Sequence, residues 1–363
     1  MKIKYSFLLI FSIFLINSVF SQTDSSIRLL GNLPDGLKIN GYVDTYYSSD
    51  NDVGNYLREF SAIAPYRDDF KLNYVSLGAR YSSERFRANA VIHFGDVPNV
   101  NWPADNRYIQ EANIGFMPLK NFWIDAGYFL THIGGEGVIP KNNFLTSLAL
   151  CTYFEPFYQS GARLSYDFSD KLSAQLHIIN SYNVFSDTHK HKSGGIELDY
   201  KPSVKVEVIY NNLLGNENSF TDNVQRLRFY NNLVIKVNPS SRLGMIICND
   251  FCLQEKSALP VRNSSAGLFS GFVSARYNIT KKLSVAARGE YYLDKNGILS
   301  GTYLSGTDSV GLKAYGFTLG LEYDPVSFGY IRIEARYLKT ENNIFTSGKN
   351  NRTEGIISAG AEF

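Results

Sequence analysis

Apolar and polar side chains alternate along most of this chain with a period of two residues. In the segment 85–94 one face is apolar and the other is largely polar, with Phe86, Ala88, Ala90, Ile92 and Phe94 set against Arg85, Arg87, Asn89, Val91 and His93. The segments 225–237 and 330–337 divide in the same way. Because successive side chains of a β-strand point to opposite faces, each segment is predicted to be a strand with one apolar side and one charged side.

A recurring turn phrase separates these segments. It begins with an aromatic or apolar residue at Tyr166, Tyr200, Val237 and Tyr277, and a few Pro, Ser, Asn or Asp residues follow. Such residues favour tight turns. Looser versions begin near residues 81, 117 and 323. Successive phrases leave room for two strands and one longer connection, so the chain is predicted to be a series of antiparallel hairpins.

The two patterns together predict sixteen strands. They fall near 38–48, 70–81, 85–95, 107–116, 121–130, 158–167, 171–181, 193–201, 204–213, 224–237, 241–251, 266–278, 282–293, 311–324, 328–340 and 352–363. Short turns on one side and longer loops on the other are typical of outer-membrane barrels. The expected fold is therefore an all-β, transmembrane antiparallel barrel of about sixteen strands, with fourteen or eighteen also compatible with the pattern.

Strand length and the chain end favour a membrane barrel over a soluble sheet. Strands of soluble sheets usually have about five or six residues, whereas tilted transmembrane strands need about nine to eleven. The last predicted strand presents Ile357, Ala359, Ala361 and Phe363 on one face. A terminal Phe on the last strand is a recognition feature of outer-membrane barrels. The expected partners are outer-membrane lipid and, through the strand ending at Phe363, the barrel-assembly machinery.

The N-terminus has the features of a secretory signal. Lys2 and Lys4 precede an apolar run over residues 5–16, and Val19 and Ser21 occupy the small-residue positions of a cleavage site. We predict a signal peptide at 1–21, a periplasmic linker at 22–36 and a barrel at 37–363, located in the outer membrane after Sec-type export. Without Lys2 and Lys4, the 36 basic residues fall to 34, which equals the 34 acidic ones. This balance argues against nucleic acid as a partner.

If the apolar faces meet lipid, the charged faces line the lumen. This set has eleven basic and eight acidic members, which are Arg85, Arg87, Glu111, Asp125, Arg163, Glu197, Asp199, Lys205, Glu207, Arg226, Arg228, Lys236, Arg276, Arg288, Glu290, Glu322, Arg332, Glu334 and Arg336. Because burying so many charges is costly, we expect a water-filled pore that admits small hydrophilic solutes with a weak anion preference. The alternative is a ladder of cross-strand salt bridges that only stiffens the wall.

The longest predicted connection covers residues 131–157. Gly134, Gly135 and Gly137 would permit a sharp bend into the barrel. Glu136 and Lys141 would then be candidate constriction charges. A loop that stays outside as an extracellular flap is equally compatible with the sequence.

Three segments resemble a known family. They are 41–50 (GYVDTYYSSD), 122–136 (FWIDAGYFLTHIGGE) and 155–166 (EPFYQSGARLSY). They look like the OmpL-like "putative β-barrel porin-2" family of Gram-negative bacteria, and the close resemblance covers residues 41 to 183. The resemblance implies an outer-membrane barrel with porin function, which means passive diffusion of ions or small hydrophilic solutes.

Motifs for catalysis are missing from the sequence. It contains no Gly-x-Ser-x-Gly elbow, no His-Glu-x-x-His and no phosphate loop. His93 and His177 have no nucleophile at a telling spacing, and His189 with His191 is predicted to be solvated surface. The odd cysteine count (Cys151, Cys248 and Cys252) indicates packing or one optional bridge. We expect no enzyme, cofactor or metal, although a non-conducting surface adhesin and a lipid-modifying barrel enzyme remain open alternatives.

Overall fold

A computed structural model describes residues 34–186, 191–216 and 224–363. Within these residues, sixteen strands close into one antiparallel barrel and a separate two-stranded hairpin lies in a connection. The strands are β1 (Leu37–Asp50), β2 (Phe70–Ser82), β3 (Phe86–Phe94), β4 (Ile109–Leu119), β5 (Phe122–Leu130), β6 (Tyr158–Ser169), β7 (Leu172–Ile179), β8 (Ser193–Ser203), β9 (Val206–Asn216), β10 (Leu227–Ser240), β11 (Leu243–Gln254), β12 (Ala266–Asn278), β13 (Leu283–Asp294), β14 (Tyr303–Ser305), β15 (Asp308–Val310), β16 (Leu312–Val326), β17 (Gly329–Thr340) and β18 (Asn351–Glu362).

The predicted sixteen-stranded barrel is confirmed, and the strand ends differ from the prediction by at most three residues. Each barrel strand pairs with its neighbours in the chain, and β13 pairs with β16 because β14 and β15 form the separate hairpin. The predicted signal peptide and most of the linker lie outside the described residues.

The connections are short at one end of the barrel and long at the other. Tight turns join β2 to β3, β4 to β5 and the following pairs, and we call this end the turn rim. The opposite end, the loop rim, carries the long connections. One connection contains helix α1 (Asp96–Asn101) and another contains helix α2 (Leu150–Phe154), neither of which was predicted. Among the described residues, no helix has the length and apolar character of a membrane span.

The alternation of faces is confirmed along the strands. In β17, Ile331 and Ile333 are exposed on the outer surface, whereas Arg332, Glu334 and Arg336 point inward and are buried. Leu176 of β7 is an exposed outward residue on the other side of the barrel. An apolar outer belt of this extent requires lipid rather than water as its neighbour.

Phe363 completes the closure between the last strand and the first. Its backbone N–H donates to the carbonyl of Gly41 (2.9 Å), and the N–H of Gly41 donates to the carbonyl of Phe363 (2.7 Å). The Phe363 ring lies so close that a Cβ on Gly41 would come within 2.4 Å of it. Because Gly41 has no side chain, the ring of Phe363 can pack against its backbone beside the seam formed by β1 and β18.

Three apolar clusters occupy the interior of the described barrel. One lies beside β1 and β2 and includes Tyr46, Tyr74, Trp102, Phe157 and Phe185. The second lies near the loop rim and extends from β7 to β17, where α2 and the β1–β2 connection add residues to the wall. The third is smaller and lies where α2 meets β10–β12. These clusters fill space that the alternating strand pattern alone would leave to water.

Candidate functional site: the lumen and its inward loop

The connection 131–157 folds into the barrel, and we call it the inward loop. At its deepest point Lys141 forms an ion pair with Glu362, the last residue of β18. Arg332, close to the start of β17, donates to the carbonyls of Pro140 (2.8 Å) and Asn143 (2.9 Å). Both wall residues lie near the turn rim, so the loop descends through most of the lumen. The alternative of an extracellular flap is wrong.

Charged side chains of β13 and β17 hold this loop in place. Glu334 accepts hydrogen bonds from the backbone N–H groups of Thr146 (2.7 Å) and Ser147 (3.2 Å). Arg288 donates to Glu136 (2.9 Å) and to the Ser147 carbonyl (2.5 Å). Hydrogen bonds in which one partner is charged are stronger than neutral ones. The loop is therefore anchored by wall charges rather than by apolar packing alone.

A continuous chain of ion pairs runs along the same wall. Glu290 lies 2.9 Å from Arg336, and Arg336 lies 3.4 Å from Glu354. Glu354 also pairs with Arg58 (3.0 Å) and Arg352 (3.3 Å). The side chains that form these ion pairs are at most 1% exposed. We call the lumen wall of β11–β13 and β16–β18 the closed arc.

The expectation that water solvates all the wall charges is wrong for the closed arc. Arg288, Glu290, Arg332, Glu334 and Arg336 are all buried, and protein groups supply their counter-charges. Removing a charge from water is tolerated when hydrogen bonds and opposite charges replace the water. The alternative prediction, a ladder of salt bridges that stiffens the wall, therefore describes the closed arc.

The lumen wall of β3–β10 is different, and we call it the open arc. Arg87 donates to both carboxylate oxygens of Asp125 (2.6 and 2.5 Å), and Arg163 approaches the same carboxylate at 3.4 Å. Gly115 on the intervening strand makes this bridge possible, because a Cβ there would lie 2.2 Å from Asp125. Arg87 and Arg163 are 34% and 24% exposed. These cations remain open to water.

Further charges of the open arc lie near the turn rim. Glu207 bridges Lys201 (3.0 Å) and Lys236 (2.9 Å), the latter on the neighbouring strand β10. Glu111, which lies closer to the loop rim at the start of β4, accepts a hydrogen bond from Asn89 at 2.7 Å. The two lysines are 51% and 40% exposed, so these are hydrated pairs.

Three of the predicted lining residues lie outside the strands, and one of them, Lys205, is exposed in the turn between β8 and β9. Arg85 is exposed in the turn before β3, and Arg226 is half-buried just before β10. Arg228 donates to Gln254 (2.7 Å) and lies over the ring of Tyr182. Of the predicted loop residues, Gly134 donates its N–H to Asn232 (3.2 Å), and Gly135 packs close to Cys248.

Several inward charges were missed from the sequence, namely Asp44, Asp250, Asp294, Arg352 and Glu354. Strand parity could have found two of them. With Ile357 assigned to the outer face, Glu354 and Arg352 must face inward. Arg58 could not have been found in this way, because it lies in the connection between β1 and β2.

A second kind of polar cluster lies where α2 meets β11. Cys151 lies on α2, Glu155 is the C-cap residue of that helix, and both face Cys248. All three cysteines are buried, and none forms a disulfide bond within the described part of the chain. Burial raises the pKa of the Glu155 carboxyl well above its usual range, and the nearby Asp250 raises it further. Of the predicted histidine pair, His189 lies outside the described residues.

Comparison with known proteins decides the family. The family model described as "Putative beta-barrel porin-2, OmpL-like" matches residues 36–363, which is most of the chain. The chain belongs to this family. The resemblance inferred from three segments is thus confirmed, and it extends through the whole barrel. No curated protein sequence is significantly similar to the chain.

Solved porins share the fold of this member of the porin-2 family. OmpF of Salmonella typhi, in complex with daunomycin, is 12% identical with a TM-score of 0.61, and the match covers 92% of this chain and 99% of that one. The channel DcaP of Acinetobacter baumannii is 13% identical with a TM-score of 0.58, covering 90% and 97%. An anion-selective porin from Comamonas acidovorans is 10% identical with a TM-score of 0.58, covering 90% and 99%. The family and the shared porin fold support a passive diffusion channel in the outer membrane.

Proposed function

We propose that this protein is a non-enzymatic channel for ions and small hydrophilic solutes, and that its solute path follows the open arc. The observation that carries the proposal is the difference in exposure between the two walls. Central charges of the closed arc, such as Arg288 and Glu334, are paired and covered by the inward loop, whereas the open arc has Arg87, Arg163, Lys201 and Lys236 open to water. In the closed arc, Arg276 near the turn rim is 23% exposed, so the contrast holds for the part of the wall that the loop covers. A solute can exchange its hydration shell only with groups that water also reaches.

The same contrast bears on ion preference. In the open arc the exposed groups are mainly cations, because Asp125 is 0% exposed beneath Arg87 and Arg163. Lys201 and Lys236 are likewise more exposed than the carboxylate of Glu207 that joins them. We infer a weak anion preference from this arrangement rather than from the eleven-to-eight count. Salt should weaken it, since the Debye length falls to about 3 Å at 1 M.

The inward loop acts as the constriction in this proposal. Gly134, Gly135, Glu136 and Lys141 lie in the part of the loop that enters the lumen, and Glu136 and Lys141 are engaged by Arg288 and Glu362. These two charges thus hold the loop, and the bulk of the loop narrows the path. Because apolar clusters also occupy the interior, we expect small conductance steps.

Planar-bilayer recording tests the channel. The refolded protein should give stable ion-conducting steps, with a reversal potential in a salt gradient that indicates a slight excess of anion flux. Replacing residues 134–147 with a short Gly-Ser linker should raise the conductance severalfold. Heat-modifiable gel mobility would verify that each preparation is folded.

The outcomes separate the alternatives. Silence from correctly folded protein would reject the channel and favour an adhesin or a lipid-modifying enzyme. Unchanged conductance after the loop replacement would reject the constriction but retain the channel.

We further propose that the barrel-assembly machinery recognises the strand ending at Phe363 and that residues 1–21 are removed on export. The exposed Phe363 ring at the barrel seam supports the first part. Phe363→Ala should reduce the amount of folded protein in the outer membrane, whereas Phe328→Ala, an exposed aromatic residue at the same rim, should not. Mass spectrometry of the mature protein should find its N-terminus at Gln22.

A further inference from the structure

The contact between α2 of the inward loop and β11 contains a set of donor groups that suits a soft metal ion. The Sγ atoms of Cys151 and Cys248 and a carboxylate oxygen of Glu155 all lie within 4.8 Å of one another. The Cys248 Sγ to Glu155 Oε1 distance is 3.9 Å. Ligands around tetrahedral zinc, with bonds of about 2.0–2.3 Å, stand roughly 3.5–3.8 Å apart. Only small side-chain shifts separate the observed set from that geometry.

The charge balance of this cluster differs from that of the rest of the lumen. Elsewhere in the closed arc, buried carboxylates such as Glu290 and Glu354 are paired with arginines. Over the described parts of the chain, neither Glu155 nor the adjacent Asp250 forms an ion pair with a basic side chain. The Oε2 atom of Glu155 is buried and has no hydrogen-bond partner among those residues. A buried carboxylate oxygen left unpartnered is costly, and a bound cation would remove that cost.

The surrounding groups are arranged as an outer shell around such an ion. The Asn232 side chain donates to Asp250 (2.7 Å) and to Glu155 (3.3 Å) and lies 3.3 Å from the Cys248 sulfur. Ser270 donates to the other oxygen of Asp250 (3.2 Å). Partners of this kind orient metal ligands and tune their affinity.

We propose that Cys151, Cys248 and Glu155 bind one Zn²⁺-like ion, with Asp250 or a water molecule at the fourth position. Two thiolates favour a soft or borderline cation such as Zn²⁺ or Cd²⁺ over Mg²⁺ or Ca²⁺. Binding releases the two thiol protons, and the carboxyl proton if Glu155 is protonated, to solvent, and no redox change is needed. The ion joins the inward loop to the barrel wall. This site is independent of whether the channel conducts.

The test measures metal in the folded full chain. Because Cys151 and Cys248 are at most 1% exposed, metal is supplied during refolding. Free ion is then removed with a chelating resin. We expect about one zinc per chain by elemental mass spectrometry, as for a buried structural site. Refolding with Cd²⁺ instead should give the ultraviolet charge-transfer absorption of cadmium thiolates.

Matched cysteine variants locate the site. Cys151→Ser and Cys248→Ser should each lose the bound metal and the cadmium absorption, while Cys252→Ser, which changes the third buried cysteine, should retain both. Glu155→Gln keeps both thiols and should release metal at a lower chelator concentration. Heat-modifiable mobility checks the folding of every variant.

Three results would overturn the proposal. The first is folded wild-type protein without stoichiometric metal after refolding in its presence. The second is equal metal loss in Cys252→Ser. The third is a protein mass that is lower than that of the fully reduced protein by two hydrogen atoms, with only one titratable thiol. That result would identify a Cys151–Cys248 disulfide instead.

Discussion

The closed arc and the open arc have the same sequence pattern but different interiors. In both, charged residues alternate with apolar residues that face lipid. In the closed arc, Arg288 is 0% exposed and contacts Glu136 and Glu290. In the open arc, Arg163 is 24% exposed and shares Asp125 with Arg87. The difference arises from what lies opposite each wall. The deep part of the inward loop lies against the closed arc, whereas its His132 contacts the open arc at Asn212 and His177, towards the loop rim.

An inward charge in a barrel wall can therefore serve one of two purposes. Where a loop supplies hydrogen-bond partners, the charge holds that loop in place. Where water remains, the charge is available to solute.

Removing one charge from each arc should have very different effects on stability. Arg288→Ala leaves Glu136 and Glu290 buried without this partner and should lower the free energy of unfolding by about 3–5 kcal/mol. Arg163→Ala should cost less than about 1 kcal/mol, because the pair is partly exposed and Asp125 keeps Arg87. Urea unfolding in lipid vesicles, followed by tryptophan fluorescence, measures both. Equal losses would contradict the division into arcs.

A charge placed on the lipid-facing side should destabilise the two arcs equally. Ile333→Arg in β17 and Leu176→Arg in β7 both place a charge in the lipid belt near mid-strand. Each substitution should lower the free energy of unfolding by about 2–4 kcal/mol at the bilayer midplane. The same unfolding measurement applies, with Lys236→Ala as a lumen-facing control of small effect. If only the closed-arc variant were destabilised, the two walls would differ in their lipid face as well.

The smallest effect concerns ion selectivity. Lys236→Glu changes an exposed charge of the open arc by two units and should shift the reversal potential toward cation preference at low salt. Lys313→Glu makes the same change on the outer side of β16 near the loop rim and should shift it little. A comparable shift from both variants would show that selectivity does not depend on the open arc.

Much of the fold could be predicted because its signals are local. Turn residues after Tyr166, Tyr200 and Tyr277 mark the hairpins, and period-two alternation assigns each side chain to a face. Even the missed Arg352 and Glu354 follow from the parity of β18. The two short helices and the β14–β15 hairpin carry no comparable local pattern, and they were missed.

Most of the candidate site could not be predicted, because its contacts join distant parts of the chain. Glu136 meets Arg288 across 152 positions, and Thr146 meets Glu334 across 188. Nothing near Gly134 or Gly135 in the sequence distinguishes a loop that enters the barrel from one that covers it. The sequence indicates only packing or one optional bridge for the cysteines, because Cys151 and Cys248 become neighbours only when that loop enters the barrel.

The sequence by itself determined the antiparallel barrel and the two faces of each strand, and it predicted about sixteen strands and a resemblance to the family. These features follow from side-chain alternation and turn chemistry, which act over a few residues. Only the tertiary structure decided that the loop 131–157 fills one side of the lumen, which charges are neutralised and which stay hydrated. The physical reason is that the state of a charge depends on what replaces water around it, and here the replacement comes from residues far away in the chain.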